Sequence, residues 1–246
     1  MRRISFAFAV AAVVAVAVPA LAAGSPARGT RLDPNHKITN TSSSNWSGYA
    51  AINNTFTSVS ASWTQPSATC TSGETSYSSF WVGLDGYNSS TVEQTGTDAD
   101  CSSGSPRYYA WYEMYPKFPV NLSTTSYPVA PNDTLTASVN AGNGGQFTLT
   151  ISSSRGWTFT TSQRLNKASL SSAEVIAEAP SSRSGVLPLT NFGTVSFTSA
   201  AANGVPLDSK SFPFGLESIT MASSTSVKAQ PSSASNGAFS VTWKHS

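Results

Sequence analysis

From Ser44 onward the chain breaks into short segments in which apolar and polar side chains alternate, separated by clusters of Gly, Pro, Asn and Ser. Period-two alternation bounded by turn formers predicts strands, because successive side chains of a strand point to opposite faces. The segments that fit are 48–52, 58–63, 79–85, 91–96, 108–114, 134–139, 146–151, 156–161, 173–178, 193–198, 215–221 and 238–243. One helix is weakly indicated, over 163–172. Strands at this spacing predict an all-β chain, a β-sandwich of two antiparallel sheets in one domain over 41–246. No internal repeat and no linker divides that region.

The alternation also sorts side chains by face. Trp81, Gly83 and Asp85 point one way while Phe80, Val82 and Leu84 point the other. Tyr109, Trp111, Glu113 and Tyr115 share a face. Glu174, Ile176 and Glu178 oppose Ala173, Val175 and Ala177. Several strands thus carry one apolar face for the core and one face that mixes aromatic rings with carboxylates. Rings beside acids on a pleated surface suit an extended polymer ligand. Singly, each such Trp is more often packing and each such Glu more often solvated.

The amino terminus departs from this pattern. Met1-Arg2-Arg3 precedes an unbroken apolar run over 4–18, and Ala20-Leu21-Ala22-Ala23 supplies small residues for cleavage. The run is shorter than the roughly 20 residues of a membrane span, so residues 1–23 are expected to be a secretory signal. Residues 24–40 are expected to be a short pro-segment or flexible leader. The anticipated product is secreted, with no membrane attachment once the signal is gone. In that oxidising setting Cys70 and Cys101 are expected to form one disulfide, two structural thiols being the alternative. Sequons stand at Asn40, Asn45, Asn53, Asn88, Asn121 and Asn132.

Composition narrows the chemistry. The chain has 45 serines and 27 threonines among its 246 residues, and hydrophobic residues make up 39%, enough for a packed core. Of 14 basic residues, Arg2 and Arg3 lie in the signal, which leaves charge balanced against 12 acidic residues. No basic patch remains for a nucleic acid. The two histidines, His36 and His245, lie in the leader and next to the carboxyl end, so a Ser-His or Cys-His site has no base. Zinc ligands are equally scarce, and no metal or cofactor is expected. An enzyme built from this chain must work with carboxylates, amides and hydroxyls.

Short motifs follow one another in a telling order. They are Ser44-Asn45-Trp46-Ser47-Gly48-Tyr49-Ala50, Val59-Ser60-Ala61-Ser62-Trp63, Phe80-Trp81-Val82-Gly83-Leu84-Asp85-Gly86, Val92-Glu93-Gln94-Thr95-Gly96-Thr97-Asp98, Tyr109-Ala110-Trp111-Tyr112-Glu113-Met114-Tyr115-Pro116 and Ala173-Glu174-Val175-Ile176-Ala177-Glu178. Over residues 44–243 this series resembles the glutamic peptidases, or eqolisins. The resemblance implies a concanavalin-like sandwich with a catalytic Gln–Glu dyad on its curved face. By motif the dyad falls on Gln94 and Glu178. Trp46, Trp81, Asp85, Asp98, Trp111 and Glu113 match cleft positions that bind substrate or support the dyad, and Glu174 matches without a catalytic role. The implied activity is a pepstatin-insensitive endopeptidase acting on proteins and peptides at acidic pH, with a monomer as the default state.

The chain departs from the family pattern at Tyr109 and Met114, where Asp and Trp are usual, and at Ala179-Pro180 after the dyad glutamate. Those changes bear on subsites rather than on the dyad. Two other readings compete. A glycoside hydrolase could use Glu113 and Glu178 as its carboxylate pair. A carbohydrate- or peptide-binding module would need neither Gln94 nor Glu178.

Overall fold

The computed structural model describes residues 42–246. The expected signal and leader lie outside the described residues. Each of the twelve segments read as strands coincides with one in the structure. The helix over 163–172 does not form; its first two residues end the strand Thr158–Arg164 and the remainder is turn and loop. A further strand, Val227–Pro231, had no signal in the sequence because Lys228, Gln230 and Pro231 hide its one fully buried side chain, Ala229.

One continuous antiparallel path folds into two layers. The first runs Gly215–Ala222, Trp46–Ile52, Ala173–Glu178, Ser79–Leu84, Val92–Ser102, Ser105–Tyr115 and Val120–Asn121. The second runs Val227–Pro231, Phe239–Trp243, Thr194–Ala202, Ser58–Thr64, Thr134–Ala141, Gln146–Ser153 and Thr158–Arg164. Gly215–Ala222 belongs to both: its first half pairs with Trp46–Ile52 and its end pairs with Val227–Pro231. Among the described residues this shared strand joins the layers along one side.

Between the layers lies an apolar core. Phe80, Val82, Leu84, Val175, Leu135, Leu149, Ile151 and Phe197 are all buried there. Burying each such side chain contributes about 1.5–3 kcal/mol, which fixes the register, since a one-residue slip would turn all of them outward. Trp63 packs on Phe197 and donates its indole N–H to Thr97 Oγ1 at 3.0 Å. Cys70 and Cys101 are joined in a disulfide with Cα atoms 5.6 Å apart, tying the loop after Ser58–Thr64 to the end of Val92–Ser102. No helix among the described residues is long and apolar enough to cross a membrane.

Candidate active site

Register in the first layer sets the mixed-face residues into three rows across the strands. The first row reads Trp46, Glu178, Ser79, Asp98, Tyr109. The second reads Ile219, Gly48, Ile176, Trp81, Gly96, Trp111. The third reads Glu217, Ala50, Glu174, Gly83, Gln94, Glu113. Residues from five motifs far apart in sequence thus meet on one face. Trp46, Trp81, Trp111 and Ile176 form a second apolar cluster there, separate from the core. Trp46 meets Trp81 edge to face at 5.0 Å between ring centroids, the favoured geometry for such a pair.

Glu178 is gripped from two sides. Trp81 Nε1 donates to its Oε2 at 2.8 Å, and Asn45 Nδ2 donates to its Oε1 at 3.1 Å. Gln94 is held differently, its Nε2 donating to Glu113 Oε2 at 2.6 Å. That bond fixes which end of the amide is which, and it leaves the buried Gln94 Oε1 without a donor. Asp98 Oδ1 accepts the indole N–H of Trp111 at 2.7 Å, so two of the cleft tryptophans are each anchored to an acid one row away.

Gln94 and Glu178 are not hydrogen-bonded to each other. They stand two strands and four positions apart, roughly 16 Å between Cα atoms on a flat sheet. Two side chains that each reach about 5 Å close this to about 6 Å at the shortest, when they lean toward each other, which is the span of one water hydrogen-bonded at both ends. The Trp81 indole spans this diagonal. Its Nε1 reaches Glu178 while its six-membered edge lies over Gly83 beside Gln94 Cβ. A Cβ on Gly83 would sit 2.9 Å from Trp81 Cζ3 and 3.1 Å from Gln94 Cβ. Gly83→Ala is therefore expected to displace the indole and to lower kcat/KM at least about tenfold, since small misplacements in a site are costly. Kinetics and a melting curve on that variant check it; unchanged kcat/KM would contradict the role given to Gly83.

Asp85 is placed elsewhere. Its backbone is left-handed, with φ 69°, and its carboxylate accepts the backbone N–H groups of Ser169, Leu170 and Ser171, each at 2.8 Å. It acts as a clamp on the loop ahead of Ala173–Glu178 rather than as a contact of Glu178. Glu174, fully buried on the site face, is held well above the usual carboxylate range, first by burial and further by the charges of Asp85 and Glu93. Glu93 lies in register with the core residues Leu84 and Met114 and is pushed up to about 8, mainly by burial and then by Asp85. The sequence did not single out Asn45, Gly83 or Glu93. Asn45 stood in a recognised motif, but only its sequon was read.

Comparison with known proteins settles the lineage. The peptidase A4 family model matches residues 44–243. The chain belongs to the peptidase A4 family. It is 30% identical over 182 residues to aspergillopepsin-2 of Aspergillus niger, covering 65% of this chain and 64% of that protein. It is 33% identical over 125 residues to scytalidopepsin B of Scytalidium lignicola, covering 50% and 44% respectively. The chain thus spans less than two thirds of either curated relative. Among solved structures, scytalido-glutamic peptidase with a transition state analog inhibitor superposes with a TM-score of 0.70 at 25% identity, over 82% of this chain and 98% of that one. Aspergilloglutamic peptidase from Aspergillus niger gives 0.60 at 25% identity, over 69% and 99%.

Proposed function

We propose that the chain is a secreted glutamic endopeptidase that hydrolyses peptide bonds in proteins at acidic pH, with Glu178 and Gln94 as its dyad. The observation that carries this reading is the paired restraint: a carboxylate held by two neutral donors faces, across Trp81, an amide whose orientation is fixed by Glu113. Peptide hydrolysis needs a base for water, a donor for the carbonyl oxygen as it becomes negative, and an acid for the leaving nitrogen. Glu178 takes a proton from water as the water oxygen bonds to the scissile carbon. Gln94 accepts a hydrogen bond from that water at Oε1 and donates its second N–H to the oxyanion. The carbon–nitrogen bond then breaks as Glu178 returns the proton to the leaving nitrogen. The products are a carboxylic acid and an amine, with no covalent intermediate. Trp46, Trp81 and Trp111 supply the apolar floor for the substrate, and Asp98 fixes the ring of Trp111.

The glycosidase reading fits the register poorly. Glu113 stands three strands and four positions from Glu178, roughly 20 Å between Cα atoms on a flat sheet. Side chains that each reach about 5 Å leave the two carboxyls about 10 Å apart at the shortest, well beyond the roughly 5–5.5 Å of a retaining pair and just beyond the roughly 6.5–9.5 Å of an inverting one. Glu113 is moreover engaged by Gln94. The test is hydrolysis of an unfolded protein by the purified chain from about pH 2 to 7, with and without pepstatin. Cleavage that favours acid and ignores pepstatin is expected; no cleavage at any pH in that range would sink the proposal.

A further inference from the structure

We propose that Asn45 is a positioning residue for Glu178, an inference that rests on the dyad reading above. Asn45 is 1% exposed, and its side chain lies between two partners. Ser43 Oγ donates to Asn45 Oδ1 at 3.0 Å, which turns the amide so that Nδ2 meets Glu178 Oε1 at 3.1 Å. Ser43 Oγ in turn accepts the backbone N–H groups of Asn45 and Trp46, at 3.3 and 3.1 Å. The turn before Trp46–Ile52 is thereby held by three hydrogen bonds at one serine hydroxyl. The backbone N–H of Ala179 donates to the carbonyl of Asn45 at 2.8 Å, so both the side chain and the main chain of Asn45 are bonded to the pair 178–179. Trp81 holds one carboxylate oxygen, Oε2. With Asn45 on the other oxygen, the plane of the carboxylate is set.

The same geometry removes Asn45 from the set of glycan acceptors. Its Nδ2, the atom a glycan would use, is buried against Glu178, whereas Asn53, Asn88, Asn121 and Asn132 are exposed.

Asn45→Asp separates positioning from simple structural support. Aspartate keeps the shape and the oxygen that accepts from Ser43, but it can donate to Glu178 only when protonated. For Asn45→Asp, kcat is expected to fall about 10- to 100-fold near the upper end of the active pH range, the loss of one charge-assisted hydrogen bond. KM should stay close to wild type, and the deficit should shrink as pH falls and the aspartic acid regains its proton. Asn45→Ala should lose kcat at every pH, without the recovery toward acid that Asn45→Asp shows. Glu178→Gln is measured in parallel, and each rate is normalised to the folded fraction from circular dichroism. If Asn45→Asp matches wild type across the whole profile while Glu178→Gln is inactive, Asn45 is only structural and the inference falls. If Glu178→Gln itself retains activity, the dyad reading falls and takes the inference with it.

Discussion

Glu178→Gln is expected to leave the chain folded and to lower kcat by about 10⁴-fold, the upper end of what one acid–base group contributes. The substitution preserves volume at a site packed between Trp46, Trp81 and Asn45. It replaces one carboxylate oxygen with an NH₂ that must face either Trp81 Nε1 or Asn45 Nδ2, both donors. That mismatch costs about 1–3 kcal/mol, enough to lower the melting temperature but not to unfold a domain with this core. The chemistry suffers far more. A glutamine can neither take the proton from water nor return one to the leaving nitrogen. Gln94→Ala should be milder, about 10²- to 10³-fold, because it removes one oxyanion donor and leaves the base in place. Steady-state kinetics on a peptide substrate, with circular dichroism to verify folding, measures both. More than about 1% of wild-type kcat in a folded Glu178→Gln would show that another group activates the water.

The asymmetry between these variants follows from the rows on the sheet, and those rows were only half visible in the sequence. Alternation alone put Trp81 with Gly83, and Ile176 with Glu178, on a face opposite the core, because a strand has only two sides. It could not say that Ala173–Glu178 lies between Trp46–Ile52 and Ser79–Leu84, which is what brings Trp81 to Glu178. That pairing spans 97 positions of sequence and leaves no local trace. The motif order implies a shared cleft for Trp81 and Glu178 only by resemblance, and says nothing of the strand order.

The failed helix over 163–172 makes the same point. Its residues have no strong local preference, and the decisive partner is distant: the Asp85 carboxylate captures three consecutive backbone N–H groups that a helix would have needed. Leu170 accordingly sits at φ 53°, outside the helical region. Motif resemblance assigns Asp85 to the cleft, and alternation sets it on the face of Trp81. Its left-handed backbone ends the strand and breaks that parity, which alternation cannot anticipate.

A second large effect is expected from pH on the fold itself: raising pH from about 5 to above 8 should lower the melting temperature by about 10 °C. Glu93 and Glu174 are fully buried, and neither carboxyl oxygen of either residue has an ion-pair partner or a hydrogen bond of good geometry among the described residues. Burial holds both in the neutral form, and Asp85 adds repulsion to each. Glu93 is pushed up from an ordinary 4.5 to about 8. The folded state therefore binds this proton more tightly than the unfolded chain does. The stabilisation is fully present below the ordinary value, declines as pH rises, and is gone once pH passes the folded value near 8. A shift of this size is worth on the order of 4 kcal/mol, a large part of the stability of any domain. Glu74 works in the opposite sense. Its partly exposed carboxylate accepts from Ser76 and Thr71 and is held below its ordinary value, so its contribution is lost as pH falls, but solvent screens it and the effect is minor. Glu93→Gln is neutral at every pH and should flatten the decline, and Glu174→Gln should do the same. Thermal melts of the three proteins at pH 4, 6 and 8 measure this. A wild-type melting temperature that stays level or rises toward pH 8 would mean that these carboxyls ionise freely inside the fold. A falling curve that both variants flatten would instead show that the acids beneath the site confine the folded enzyme to low pH.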